Sequence, residues 1–349
     1  MYSYIKTIVT IFSFLLLVHS RFCFSQSKPS EYLLTILETN YNKGAYKVGL
    51  DRWRDLEPKI RKQGDAQSLS MGHIYAWRAL IHASLSKFDL YKKDLSNAEL
   101  ILNSSTNEDK GYYDAFLTLA KCYHFYGDYN KALEVLNKNI SALPSSSIQY
   151  YQYTYWINQI NYQLGYVKKV ELNIDQTLAS LSSSKDTSTT IDHLKAAFNL
   201  LQIDVLLEEG QVQKVERLIR TKEAWFQATF HNLYGYTANL IYRKGLVKYI
   251  KNEYSNANNL FKSAYKGGQR FYSLHAPFFI DLQRVRAANL IKLKKVKEAF
   301  FWQNDLDVKV KNYYGKKSVP FFDHKLTEVN AFYSKNDFKK AYSSLKRYN

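Results

Sequence analysis

The side chains able to do chemistry are scattered rather than clustered. Eight histidines are spread from His19 to His324, and no two sit four apart as a metal-binding helix pair would require. His82 and its fellows therefore read as isolated core or surface residues. Cys122 lies in the run Leu119-Ala120-Lys121-Cys122-Tyr123 with no neighbouring base to activate it, so it reads as a small buried hydrophobe. Glu208 and Glu209 are consecutive and point apart on a helix, which argues against shared acid–base work. Gly267-Gly268 has neither a following Lys-Ser/Thr nor a strand before it, so it is no phosphate loop. The basic run from Lys292 to Lys297 reads as a solvated helix face. The sequence thus predicts no enzyme, no metal and no cofactor. What it does offer is side chains that bind: 30 tyrosines, able to stack, hydrogen-bond and bury area with few rotatable bonds.

The elements that must position those side chains are clearest from Tyr112 to Pro144. Phe116, Leu119, Ala120 and Tyr123 recur at helical spacing, as do Tyr129, Ala132, Leu133 and Leu136. Between them Gly127-Asp128 makes a turn, because glycine enters the left-handed conformation without a steric penalty. The same punctuation recurs along the chain. Taking the residue equivalent to Tyr129 gives Tyr46, Phe88, Tyr129, Val167, Val212, Tyr254, Val296 and Phe338, at intervals of 42, 41, 38, 45, 42, 42 and 42. Two residues earlier stand Gly44, Ser86, Gly127, Gly165, Gly210, Asn252, Lys294 and Asn336; all but Lys294 are types suited to a turn. Three residues after each marker, five of eight positions are Gly or Ala, which lets two helices approach closely. Seven positions after it, all but Gln303 are apolar. Pro29, Pro277 and Pro320 fall where first helices should begin, and Pro58 and Pro144 where second helices should end. The polar run Ser182–Thr190 reads as a loop that accounts for the one long interval.

The unit from Tyr112 to Pro144 resembles a tetratricopeptide repeat (TPR): an aromatic, Leu-Ala, Tyr, Gly-x-Tyr, a small Ala, then Pro. The period of about 42 is longer than the family's usual length of about 34 and implies longer helices. Only Gly245 supplies the family's mid-helix glycine, with Ala79, Ala120 and Ala287 as small substitutes and Asn158 as a departure. The resemblance implies an all-α fold, a right-handed α-solenoid of about eight antiparallel helical hairpins, whose first helices line a concave groove. Counting back from the markers by four, five, eight, twelve and fifteen residues places Lys121, His124, Tyr155, Gln159, Tyr162, Asp204, Tyr242, Tyr249 and Arg284 in that groove. Ordinary inter-helix packing is the competing reading for tyrosines such as Tyr155 and Tyr162.

Residues 1–25 read as a signal peptide: Lys6, then an apolar run of 12 residues from Thr7 to Val18, then the small Cys23 and Ser25 at the two positions the peptidase inspects before cleavage ahead of Gln26. Residues 26–349 would form the solenoid, exported to the periplasm or secreted. With 49 Lys and Arg against 31 Asp and Glu, the net charge is +18 and favours acidic partners. The expected role is a protein-interaction scaffold holding an extended, partly acidic peptide segment. A glycan or cell-wall ligand and a sensory module of an envelope signalling system are the alternatives, and nucleic acid is disfavoured.

Overall fold

The computed structural model describes residues 28–63, 68–106, 109, 111–184, 186, 188–230, 235–274 and 276–315. The N-terminal 25 residues and the eighth hairpin expected around Phe338, with Pro320 at its start, lie outside the described residues. Every regular element described is a helix: α1 Pro29–Asn42, α2 Tyr46–Lys62, α3 Leu69–Ser84, α4 Phe88–Leu102, α5 Tyr112–Tyr126, α6 Tyr129–Ile140, α7 Ile148–Gln163, α8 Val167–Ser183, α9 Thr189–Glu208, α10 Val212–Phe230, α11 Gly235–Ile250, α12 Tyr254–Gly268, α13 Pro277–Lys292 and α14 Val296–Tyr314. They form seven antiparallel hairpins.

Each of the first seven markers is the first residue of a second helix. The residue two before it always has positive φ: Gly44 (68°), Ser86 (57°), Gly127 (87°), Gly165 (83°), Gly210 (71°), Asn252 (60°) and Lys294 (59°). Lys294, the exception by residue type, therefore makes the same turn. In every hairpin the backbone amide just after this residue donates to a carbonyl near the end of the first helix, as Asp128 N–H does to Tyr123 O at 2.9 Å. The helix end is closed and the chain reverses.

The positions three after each marker, from Gly49 to Ala299, are all buried. Seven after it, Trp53, Leu136, Ile174, Ile219 and Phe261 are buried core, Leu95 is half-buried, and the polar Gln303 is buried too. Asn158 stands fully buried at the small-residue position of the fourth hairpin, so the repeat frame holds there. Gly245 is needed for packing: a Cβ on it would lie 2.6 Å from Cε1 of Phe261, on the mating helix.

Two expectations are corrected. Pro58 lies inside α2 rather than at its end. It is exposed, as is Arg54 one turn earlier, so water can take the carbonyl that the missing N–H leaves unpaired. The polar run Ser182–Thr190 is a loop only in its middle: α8 extends through Ser183 and α9 begins at Thr189, leaving a connection of five residues. Serine side chains there bond back to the helix, as Ser182 Oγ does to Leu178 O at 2.7 Å.

Each first helix packs on the next first helix, from α1 on α3 through α11 on α13, whereas each second helix packs on its own mate and on the following first helix. The first helices therefore form the shorter inner layer and the second helices the outer one. The curve closes on itself. Ser273 N–H donates to Lys43 O at 2.8 Å, Tyr313 Oη donates to Gly44 O at 3.2 Å, and Lys47 N–H donates to Tyr313 Oη at 3.3 Å. Tyr46 packs against the rings of Tyr313 and Tyr314, and Ile280, Leu306, Val310 and Tyr314 join the hydrophobic cluster of the first three hairpins. The first hairpin thus meets the seventh, and the inner layer surrounds a channel.

Candidate functional site: the inner channel

On α5, Lys121 sits eight residues before its marker and projects from the inner layer. Its ammonium lies 5.2 Å from the ring centre of Trp77 on α3 and 5.3 Å from that of Trp156 on α7. Two indoles one hairpin to either side thus hold one cation, a contact of about 0.5–2 kcal/mol. No carboxylate lies within ion-pair distance of Lys121 among the described residues. Loss of solvent lowers its pKa, and the charges of Glu38 on α1 and Asp114 on α5 act in the opposite direction. Burial in turn raises the pKa of Asp114.

His73 on α3 stacks on Trp77, and burial, reinforced by Lys121, lowers its pKa to about 3. Its Nε2 is 2.9 Å from Thr118 Oγ1, whose own proton goes to Asp114 O at 2.9 Å. Thr118 can then only accept, so the ring is neutral with its proton on Nε2. His124 lies edge-on to Trp156 with its Nε2 buried and unpartnered among the described residues, and burial lowers its pKa as well.

Farther round the ring, Gln159 Nε2 donates to Tyr155 Oη at 2.8 Å, and Tyr155 is edge-on to Trp156 and Phe198. Asp204 on α9 receives Arg243 of α11 through both oxygens, at 2.7 and 2.5 Å, while Tyr162 Oη donates to the Asp204 carbonyl at 3.5 Å. Arg243 also reaches Asn239 Oδ1 at 3.1 Å, and Asn239 donates to Tyr272 Oη at 2.9 Å. Charges two hairpins apart feel one another here: Glu38 acts on Lys121, and Arg243 acts on Tyr155.

Of the nine residues expected in the groove, the structure joins Lys121, His124, Tyr155, Gln159, Tyr162 and Asp204 into this wall. Tyr242 adds a half-buried ring against Phe261 and Phe278, and its pKa is raised by burial and by Asp281. Arg284 is exposed beside Asp281 at 3.4 Å. Tyr249 packs edge-on against Tyr254 at the hairpin turn, apart from the hydrogen-bonded wall. Sequence reasoning missed His73, Trp77, Trp156 and Arg243. The last three share one signal, each standing eleven residues before its marker, and His73 stands fifteen before Phe88.

No protein-family model matches the chain. No curated protein matches it in sequence. Solved structures do match. A Rap protein complexed with Competence and Sporulation Factor superposes with a TM-score of 0.55 at 11% identity, over 92% of this chain and 97% of that one. The Rap conjugation gene regulator of the plasmid pLS20, in complex with the Phr* peptide, gives a TM-score of 0.48 at 13% identity, over 91% of this chain and 94% of that one. The first of these likenesses, together with the hairpins and turns above, makes the fold a TPR-like helical-repeat solenoid.

Proposed function

We propose that the chain is a non-catalytic scaffold that holds an extended peptide segment of a partner protein in its inner channel. The observation that carries this reading is Lys121: a cation clamped between Trp77 and Trp156, with no carboxylate within ion-pair distance among the described residues. It is ready to take one from a ligand. The tyrosines around it supply contact area, and the Asp204–Arg243 pair is already satisfied, so it offers shape rather than free charge. The structural neighbour solved in complex with Competence and Sporulation Factor is in keeping with a binding role. The segment carries an acidic side chain or its own terminal carboxylate opposite Lys121.

Selection of phage-displayed random peptides against the purified protein tests this. Enriched peptides should contain a carboxylate and lose about tenfold or more in affinity, roughly 1.4 kcal/mol, in Lys121→Met. Aromatic contacts dominate, so salt should weaken binding modestly rather than by the orders of magnitude that counterion release from nucleic acid would give. Peptides that bind Lys121→Met and wild type equally would move the site out of this channel.

We further propose that the scaffold acts outside the cytoplasm, with residues 1–25 removed on export. Intact mass of protein from its native host should correspond to a chain starting at Gln26. Retention of Met1 would contradict this.

A further inference from the structure

On the other side of α7 from the channel wall, a cleft of about 910 Å³ opens between the third and fourth hairpins. Its walls come from α6, α7 and α8, since α6 and α8, like the other successive second helices, do not pack on one another. Its chemistry differs from the rest of the molecule. In a chain of net charge +18, no Lys or Arg among the described residues lines it, and the one carboxylate among them, Asp186, already accepts the Ser188 N–H at 2.7 Å.

Four of the lining hydroxyls are oriented alike. Thr154 donates to Tyr150 O, Thr177 to Asn173 O, Ser180 to Gln176 O and Ser183 to Ser180 O, at 2.7–3.0 Å. With these protons spent on helix carbonyls, each oxygen is left to the cleft as an acceptor. Asn158 adds another. It is fully buried, its Nδ2 donates to Thr154 O at 3.0 Å, and its Oδ1 has no partner among the described residues. A buried, unsatisfied acceptor costs about 1–3 kcal/mol, so a site that keeps one is a site where a donor can arrive. Half-buried Tyr150 and Ile157 contribute apolar surface, and the side-chain amides of Asn137 and Gln176 stand at the rim.

A ligand matching this cleft is uncharged, rich in hydroxyl donors and partly apolar on one face. We propose that the cleft binds a neutral oligosaccharide of a few sugar rings, with Asn158 Oδ1 accepting from a sugar hydroxyl and Tyr150 packing on a ring face. The volume is in the range of about 300–1,000 Å³ typical of small-molecule sites. Hydroxyl donors satisfy the cleft without bringing charge, whereas a polyamine would need more carboxylates than Asp186, the one among the described lining residues. This site is independent of the peptide channel.

Saturation-transfer NMR with chitotetraose, cellotetraose, maltotetraose and laminaritetraose tests the proposal. At least one should receive saturation, independent of salt, and bind about tenfold or more weakly to Tyr150→Ala and to Asn158→Leu. Asn158→Leu removes the orphan acceptor at similar volume, and circular dichroism checks that it folds. If it does not, Gln176→Ala at the exposed rim takes its place. Lys121→Met should leave sugar binding unchanged. No transfer to any of the four sugars, equal binding by wild type and variants, or binding of spermine in their stead would each overturn the proposal.

Discussion

His73 shows how strongly the channel acts on single side chains. It is held neutral beside Lys121, with its pKa lowered from 6.5 to about 3 mainly by loss of solvent. The unfolded chain takes up a proton on this ring below pH 6.5 that the folded chain refuses until near pH 3. Stability contributed by the neutral ring is therefore complete above pH 6.5 and drains away as the pH falls towards 3, at up to about 1.4 kcal/mol per pH unit. Denaturant titrations across that range should show His73→Gln losing less stability with acid than wild type, by about one proton's worth. Equal slopes would mean that His73 is solvated. Residue-level detail of this kind was the least legible in the sequence. Trp77, Trp156 and Arg243 occupy one repeat position, but steps of eight and twelve from the turn pass on either side of it. A one-residue error on a helix turns a side chain by about 100°. His82, which reads as an isolated core histidine, is instead hydrogen-bonded to buried Asp94 at 2.9 Å, and Asp94 also holds Arg78 at 3.2 Å. The partners lie on two helices of one hairpin, and no spacing within one helix reveals them.

Elements were the most legible scale, because helix turns are decided locally. A left-handed residue ends one helix and the next begins two residues later, so seven starts could be placed from turn residues alone. The helix ends farther from these turns were less so: Pro58 and Ser183 both proved helical, since packing of the exposed second helices tolerates a proline and a serine run that propensity would not. Within a hairpin, Ala132 and Leu136 are fully buried on α6. Leu136→Ala should destabilise by about 2–5 kcal/mol through lost transfer energy and a cavity. Ala132→Leu should cost about 1–3 kcal/mol by overpacking. Because the third hairpin stacks on the second and the fourth, hydrogen exchange should rise most in these three. Wild-type exchange there in both variants would contradict the packing described.

At the scale of the whole molecule, the closing of the ring had no signature in the sequence. It depends on the angle accumulated over six hairpin-to-hairpin steps, each too small to read from composition. Two glycines with the same left-handed backbone separate the local turn from the closure. Gly127 (φ 87°) has nothing within 4 Å of an added Cβ, whereas a Cβ on Gly44 (φ 68°) would lie 2.6 Å from Cα of Ala276 across the closing contact. Gly127→Ala should cost about 1–2 kcal/mol of backbone strain and leave the shape alone. Gly44→Val should additionally open the ring, seen as a larger radius of gyration in small-angle X-ray scattering. Identical scattering from the two variants would contradict the closure.

The closed ring matters because it makes the inner layer a channel, and the central claim is that a peptide lies in it. Photo-crosslinking tests this most directly. A benzophenone amino acid in place of Tyr155, on the channel wall, or of Phe301, exposed on the outer helix α14, samples the two surfaces with one chemistry. With a peptide selected for binding, crosslinks should form from position 155 and not from position 301, and Lys121→Met should abolish them. Crosslinks from position 301 with none from position 155 would place the ligand on the outer surface and contradict a channel that binds.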